Sequence, residues 1–237
     1  MITALDHLAL SGGAAAYEIL LGRRASDGRL QTGNVGLTFG ADGGPLSALA
    51  FATPALDKAA RLLERRAVVA TPSDSRLVLS PDATHGVPIV LVERDQTLPP
   101  SPAAVDEDSV VSSLDHVVIR SPNPERAIAF YAGRLGLDLR LDRSNPDWGA
   151  RLLFFRCGDL VVEIAHDLKQ GVSDRPDRLW GLSWRVPDIA KAHARLAAAG
   201  LDLTEPRPGR RPGSHVFTVR DGTEGVPTLV IAGVGRW

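Results

Sequence analysis

The sequence predicts an α+β fold made of four βαβββ modules, that is, four successive strand–helix–strand–strand–strand units. Two observations carry this prediction. The two halves of the chain are diverged copies of each other, because residues 5–11 resemble residues 114–121 and residues 49–68 align without gaps on residues 182–201. Each half then divides again into two units, in which an alternating strand-like run precedes an amphipathic helical segment.

The first half contains the first two modules. Module one covers about residues 3–39, with a helix around residues 14–21 and short strands after it. Module two covers residues 46–93, with a helix over residues 55–66 and later strands that end in the apolar run before residue 93. These bounds follow from the spacing of apolar residues, which recur at every second position in the predicted strands and about every 3.6 positions in the predicted helices.

The second half contains the other two modules. Module three covers residues 114–166, and its helix over residues 124–134 ends at the stop signal Gly136. Module four covers residues 179–232, with a helix over residues 189–199. Its strands are predicted at residues 182–186 and near Leu201, Val216 and Leu229.

A Pro-rich, acidic segment without periodicity separates the halves and is predicted to be an extended linker. The domain organisation is therefore a first domain at residues 1–94, which is shortened, a linker at residues 95–113, and a second domain at residues 114–237.

Composition narrows the function classes. A formal charge of −1 gives no global field to attract nucleic acid or an acidic membrane, and no apolar run is long enough to span a bilayer. Cys157 is the single cysteine, which excludes an internal disulfide, and the N-terminus has no signal-peptide pattern. We expect a cytoplasmic protein, monomeric or homodimeric, that acts on or binds a small molecule.

His116 and Glu163 are the central pair of candidate site residues. Alternation places His116 on the opposite strand face from the apolar Val117, and Glu163 on the opposite face from Val162. If the apolar faces pack on the helix, both polar side chains emerge together on the far side of the sheet. They could ligate a divalent metal, or they could satisfy each other by a hydrogen bond without metal, and the sequence leaves both open.

Further polar and aromatic residues are predicted to surround this pair as a pocket for an anionic or aromatic substrate. They are Asn145, Trp148, Arg151, Ser183 and Arg185. His166, which follows the strand of Glu163, is expected to be an exposed loop residue, and Cys157 a small structural one.

The segment Pro-Glu-Arg-Ala-Ile-Ala-Phe-Tyr at residues 124–131, followed by Leu-Gly-Leu at residues 135–137, resembles the first helix of the vicinal oxygen chelate superfamily. That group includes glyoxalase I, extradiol dioxygenases, methylmalonyl-CoA epimerase and the bleomycin-resistance proteins. The resemblance implies that modules pair into two cupped mixed β-sheet domains. It also implies a metal site drawn from the first and last strands of each module.

Carried over residue by residue, those metal positions fall on His116, Glu163, Gly181 and Leu229 in the second half. In the first half they fall on His7, Thr38, Ala48 and Val90, so we expect no metal there. Extradiol dioxygenase activity is disfavoured, because its two-His, one-carboxylate triad is incomplete. A metal (Mn, Fe, Ni, Co or Zn) in the second half would need a further ligand, for which His215 is the candidate, although its face cannot be fixed.

The resemblance leads to two hypotheses. The first, slightly favoured, is a metal-dependent isomerase, epimerase or lyase that acts on a small oxygenated metabolite in the C-terminal cleft, with Glu163 and His116 as catalytic residues. The second is a metal-free small-molecule-binding protein that resembles the bleomycin-resistance proteins.

Overall fold

The computed structural model describes residues 1–94 and 110–233, which form one seven-stranded and one eight-stranded mixed sheet. The predicted linker at residues 95–113 therefore lies outside the described residues, except for residues 110–113. Within the described parts of the chain, no helix is both long and apolar enough to cross a membrane.

The first sheet comes from the first half of the chain, and its strand order is β2-β3-β1-β4-β7-β6-β5. The antiparallel pair β1–β4 joins the two modules at its centre. Module one has two strands after its helix rather than the expected three, and this makes it the shortest unit. The elements are β1 Ala4–Leu10, α1 Ala15–Leu21, β2 Arg29–Gln31, β3 Gly36–Thr38, β4 Leu46–Thr53, α2 Leu56–Arg65, β5 Ala70–Ser73, β6 Arg76–Leu79 and β7 Ile89–Glu93.

The second sheet repeats this plan in the order β13-β14-β15-β12-β8-β11-β10-β9, with the antiparallel pair β8–β12 at the module junction. The strand expected near Leu201 is reduced to a single bridge between Leu203 and Val219. The elements are β8 Ser113–Arg120, α3 Pro124–Ile128, β9 Asp138–Asn145, β10 Ala150–Cys157, β11 Leu160–Asp167, β12 Arg178–Arg185, α4 Ile189–Ala198, β13 Arg207–Pro208, β14 His215–Val219 and β15 Thr228–Ala232.

Local sequence determines where the helices of the second half begin and end. The Asn123 side chain accepts a hydrogen bond from the backbone N–H of Arg126, and Pro124 occupies the first turn of α3. This helix continues as a π-helical turn over Ala129–Arg134 and ends at Gly136, whose φ of 76° is a conformation that favours glycine. Asp188 caps α4 in the same way, through the N–H groups of Ala190 and Lys191.

The two halves share a continuous buried core and are joined by side-chain bonds to backbone. Asn34 donates to the Leu114 carbonyl at 2.8 Å and accepts from the Leu114 N–H at 2.9 Å. The Arg66 side chain donates to the Arg134 carbonyl, and that of Arg195 donates to the Ile19 carbonyl. The two arginine contacts thus join helical segments of one half to helical segments of the other.

The alternation predicted for the central strands is observed. Val117 and Ile119 are fully buried on the helix side of β8, whereas His116 is partly exposed on the other face. In the parallel pairing of β11 with β8, Val161 lies opposite His116 and Glu163 lies opposite Val118. The sheet therefore carries His116 and Glu163 on the face that is turned away from the helices.

Candidate functional site

A cleft of about 660 Å³ opens on this outer face of the second sheet. Val118 and Glu163 lie in its floor, and the 3-10 turn Pro146–Trp148 and the loop that carries Arg210 reach its edge. The cleft lies beside the β8–β12 junction between modules three and four.

The structure brings the two predicted residues together. The Nε2 atom of His116 lies 3.4 Å from Oε2 of Glu163, and both side chains are mostly buried. The Nδ1 atom of His116 lies 2.8 Å from Oδ2 of Asp115. The imidazole is therefore held between two carboxylates, one on each ring nitrogen.

A residue that the sequence analysis did not single out, Asp115, anchors this arrangement. It is only 2% exposed, and its Oδ1 accepts a 2.7 Å bond from Nε of Arg185. Arg185 in turn donates to the backbone carbonyl of Asp159 at 2.6 Å. Four charged groups thus form a chain from Arg185 through Asp115 and His116 to Glu163.

Electrostatics shift the pKa values along this chain. Burial lowers the pKa of His116, but the hydrogen bond to Asp115 and the charge of Glu163 outweigh burial, so its pKa lies above the ordinary value. Burial raises the pKa of Glu163, and the opposing charges of His116 and Arg210 do not cancel that effect. Burial also raises the pKa of Asp115, but the bonds from His116 and Arg185 bring it below the ordinary value.

The first half contains a copy of the aspartate–histidine unit without the glutamate. His7 Nδ1 lies 2.8 Å from Oδ2 of Asp6, and Arg94 takes the place of Arg185 at 3.1 Å from Oδ1 of Asp6. The strand register puts Thr38 at the position of Glu163. The shared unit is therefore a feature of the repeat, and the acid–base pair belongs to the second half alone.

The donor set does not complete the metal site that the resemblance implies. His116 and Glu163 are about as far apart as two ligands of one ion whose bonds are about 2.1 Å long. However, the two module-four positions are Gly181 and Leu229, which have no donor side chain. A Cβ atom at Gly181 would lie 2.5 Å from the backbone oxygen of Pro227, so the backbone itself leaves no room for a ligand there.

His215, the expected further ligand, is not brought to the pair. It is exposed on β14, and the next residue on its own face, Phe217, packs its ring against His193 of α4. His215 therefore lies on the helix side of the sheet, opposite to His116. Among the residues that the structure describes, no group of three His, Cys, Asp or Glu side chains is arranged to hold a metal.

Two predicted substrate-binding arginines are engaged elsewhere. Arg151 points to the helix side of β10, where it binds Asp142 through two bonds and Glu125 of α3 at 2.6 Å. Arg185 lies behind the site, bound to Asp115. Ser183 lies directly across from His116 but is only 1% exposed, and its hydroxyl has no hydrogen-bond partner among the described residues.

The remaining predicted pair lies at the edge of the cleft. Trp148 lines the cleft, and guanidinium groups lie over its ring at 5.0 Å for Arg143 and 4.8 Å for Arg210. Asn145 supports this turn, because its side-chain oxygen accepts from the N–H groups of Asp147 and Trp148. Asn145 thus positions the tryptophan and has that oxygen already engaged.

Sequence reasoning missed several cleft residues. His166, expected in an exposed loop, is 5% exposed, lines the cleft, and lies with Nδ1 3.1 Å from the Ser121 carbonyl. Arg120 and Arg178 line the cleft as well. Arg120 shares the strand phase of His116, so alternation was the signal that could have identified it.

Comparison with known proteins places these observations in a family. The sequence model of the Glyoxalase/Bleomycin resistance protein/Dioxygenase superfamily matches residues 115–218. The match lies within the second half of the chain and supports the resemblance that its helix motif indicated. An ethylmalonyl-CoA/methylmalonyl-CoA epimerase of Cereibacter sphaeroides is 29% identical over 110 residues, which cover 42% of this chain and 82% of the relative.

Solved structures confirm the fold over the whole chain. A 2,2',3-trihydroxybiphenyl 1,2-dioxygenase of Sphingomonas wittichii aligns with 100% of this chain and 92% of its own at a TM-score of 0.72 and 16% identity. A halotolerant catechol dioxygenase aligns with 100% of this chain and 89% of its own at a TM-score of 0.71 and 13% identity. At these identities the likeness concerns the arrangement of the two cupped sheets and not the reaction.

Proposed function

We propose that the second half of the chain is a proton-transfer enzyme of the isomerase or epimerase type that acts on a small oxygenated metabolite. The observation that carries this proposal is the contact between His116 and Glu163 beside the cleft, with a pKa above the ordinary value for each. A perturbed acid–base pair beside a cleft supports a catalytic role more strongly than a structural one.

The two side chains have complementary tasks. Glu163, whose raised pKa makes it a stronger base than an ordinary carboxylate, takes a proton from a carbon next to a carbonyl group. The electrons of that C–H bond move toward the carbonyl oxygen, and the protonated His116 donates its Nε2 hydrogen to the negative charge that develops there. Where the first carbon carries a hydroxyl group, the now neutral His116 takes that hydroxyl proton while Glu163 returns its proton to the former carbonyl carbon, which completes an isomerisation and restores both residues. Where it does not, Glu163 returns the proton to the same carbon and His116 takes back the hydrogen on the oxygen, and the configuration inverts if the planar enolate has turned its opposite face to Glu163.

Asp115 holds the His116 ring in the orientation and charge state that this mechanism needs. Its carboxylate fixes the orientation of the His116 ring through Nδ1 and favours the charged imidazolium. No step uses a metal, since only two of the four superfamily positions carry donors and the backbone of Pro227 closes a third. A divalent metal on His116 and Glu163 remains an expectation of the sequence pattern and of the resemblance.

The epimerase relative suggests the first substrate to try. Its name identifies an enzyme that inverts the acidic carbon of a malonyl thioester. Proton transfer next to a carbonyl is the chemistry that the His116–Glu163 pair supports. We therefore propose methylmalonyl-CoA as the first probe, followed by 2-oxo acids and hydroxyketones.

The test is hydrogen–deuterium exchange at the acidic carbon, followed by mass spectrometry in D₂O. We expect the wild-type protein to catalyse exchange and Glu163→Gln to lose it by at least about 100-fold, as is typical for removal of a general base. Asp6→Asn, at the equivalent first-half unit, is the matched control and should retain activity. Full exchange by Glu163→Gln would contradict the assignment of the base.

The pH profile gives a second readout in the same assay. Because the pKa of Glu163 is raised, its basic form is gained only above the ordinary glutamate value of about 4.3. Because the pKa of His116 is raised, its charged form is lost only above about 6.5. The rate should therefore pass through a maximum as the pH rises. The rising and the falling part of this profile should both lie at higher pH than for ordinary Glu and His side chains, and their apparent pKa values belong to the coupled pair.

The loss of donors at Gly181 and Leu229 favours a second candidate, a metal-free small-molecule-binding protein. In that case Glu163 would hold a ligand rather than move a proton. Ligand binding without exchange, weakened but not abolished in Glu163→Gln, would support this alternative.

A further inference from the structure

We propose that the cleft contains an anion-binding subsite formed by Arg120, Arg178 and Arg210, and that its ligand is a small organic dianion. This inference rests on the proposed function only for the claim that the bound molecule reacts. The subsite itself follows from the placement of the three guanidinium groups.

Arg120 and Arg178 form an unusual cross-strand pair. They lie directly opposite each other in the antiparallel pairing of β8 with β12, and both line the cleft. Like charges at directly opposed positions destabilise a sheet. An anion bound between the two side chains would remove that repulsion, so the register itself favours an anionic ligand.

The three guanidinium groups have no carboxylate within ion-pair distance among the described residues. Some other arginines of the second half do have one: Arg126 pairs with Asp177, and Arg220 pairs with Asp202. The three cleft guanidinium groups are therefore not neutralised by an ion pair and can receive the oxygens of a ligand.

Tryptophan rings hold two of these arginines in place. Arg120 lies 4.3 Å from the ring centre of Trp180, and Arg210 lies 4.8 Å from that of Trp148. Stacking over an indole fixes the plane of a guanidinium and leaves its N–H edges free for the oxygens of a carboxylate or phosphate. Because Arg143 also lies over Trp148, that ring supports arginines and is not an open platform for an aromatic ligand.

The spacing indicates the size of the ligand. Arg120 lies opposite Ala165, which is two residues from Glu163 along β11, or about 7 Å. Arg210 lies near enough to Glu163 for its charge to favour the carboxylate form. One molecule of a few carbon atoms, with an anionic group at each end, would contact the arginine pair and still present a carbon to Glu163.

The test is isothermal titration with succinate, inorganic phosphate and acetate at low ionic strength. We expect succinate or phosphate to bind wild-type protein and acetate to bind at least about 10-fold more weakly, because one charge engages only part of the subsite. Arg120→Gln and Arg178→Gln should each weaken binding of the dianion by about 10-fold or more. Arg24→Gln, an exposed first-half arginine with the same charge change, is the matched control.

The outcomes separate the subsite from the reaction. Preference for succinate would identify a dicarboxylate as the ligand type, and preference for phosphate a phosphorylated acid. Glu163→Gln removes a negative charge from the cleft, so it should bind the dianion as tightly as wild type or more tightly. If it does so while no probe undergoes exchange, the subsite stands and the proposed function fails.

The subsite is contradicted if wild type binds neither dianion at ligand concentrations up to about 10 mM, which is the range of a weak specific site. It is equally contradicted if Arg24→Gln loses as much affinity as the cleft variants, since the effect would then be one of net charge. Circular dichroism of each variant checks that the fold is retained.

Discussion

At the scale of single residues, Asp115 is the buried carboxylate that connects His116 to Arg185 in the candidate site. It is almost fully buried and joins His116 and Arg185, whose other carboxylate partners, Glu163 and Asp159, lie farther away at 3.4 and 3.8 Å. The buried carboxylate is stabilised by His116 and Arg185, and its pKa is lowered as a result. Its contribution to stability therefore depends on pH.

The substitution Asp115→Asn should lower the free energy of unfolding by about 3 kcal/mol at pH 7, because it removes the nearest carboxylate partner of the buried Arg185 and His116 side chains. Because the pKa of Asp115 is lower in the folded than in the unfolded state, the stabilisation is fully present at pH values above the unfolded-state pKa of about 3.9. It is lost as the pH falls through the folded-state pKa. Urea unfolding at several pH values measures both effects.

Asp6→Asn is the matched control for this substitution. The Asp6 side chain has the same type of histidine and arginine partners, but it is 15% exposed, so its loss should cost less. Equal losses in the two variants, or no change of the difference between pH 7 and pH 3, would contradict the role assigned to Asp115.

The residue scale also shows where sequence reasoning stopped. Alternation predicted that His116 and Glu163 would meet, because a period of two is fixed by strand geometry alone. It could not show that Arg185 and Arg151 are held by Asp115 and Asp142, because such partners come from strand register and not from strand phase.

At the scale of elements, the chain just before β15 packs so closely on β12 that the junction between modules three and four has no room for a side chain at position 181. The β12 position that would supply a metal ligand in the superfamily is Gly181, and the backbone of Pro227, just before β15, lies against it. The missing ligand is thus linked to the path of the chain and not to one side chain.

The substitution Gly181→Ala should therefore destabilise the protein by about 1–3 kcal/mol, as overpacking of a close contact does. Gly133→Ala is the control, because a Cβ there meets nothing within 4 Å and alanine favours helix more than glycine does. The midpoints of thermal unfolding compare the two. A neutral Gly181→Ala would show that the junction can accept a ligand side chain after all.

Element boundaries were predicted well where a cap or glycine marks them, as at Asn123, Gly136 and Asp188. They were predicted poorly after α4, where the chain forms one bridge at Leu203 and a two-residue strand before β14. Because that segment is irregular, strand alternation could not predict which face of the sheet His215 occupies. The structure places the residue on the helix side.

At the scale of the whole molecule, the internal repeat predicted the architecture because each half must bury the same kind of apolar face. Both halves carry an Asp–His unit, at Asp6–His7 and Asp115–His116. The proposed function depends on what differs between the halves: Glu163 where the first half has Thr38, and a cationic cleft over the second sheet. Asn34 and its bonds to Leu114 indicate that the first half supports the strand that carries His116.

The measurement that tests the central claim most directly is a nuclear magnetic resonance titration of His116 and Glu163 in wild-type protein, and of His116 in Glu163→Gln. In the wild type, the pKa of His116 should lie above about 6.5 and the pKa of Glu163 above about 4.3. The pKa of His116 should fall when the charge of Glu163 is removed. A Glu163 carboxyl that titrates at or below its ordinary value, or a His116 that does not respond to the substitution, would show that the two residues are not a coupled acid–base pair.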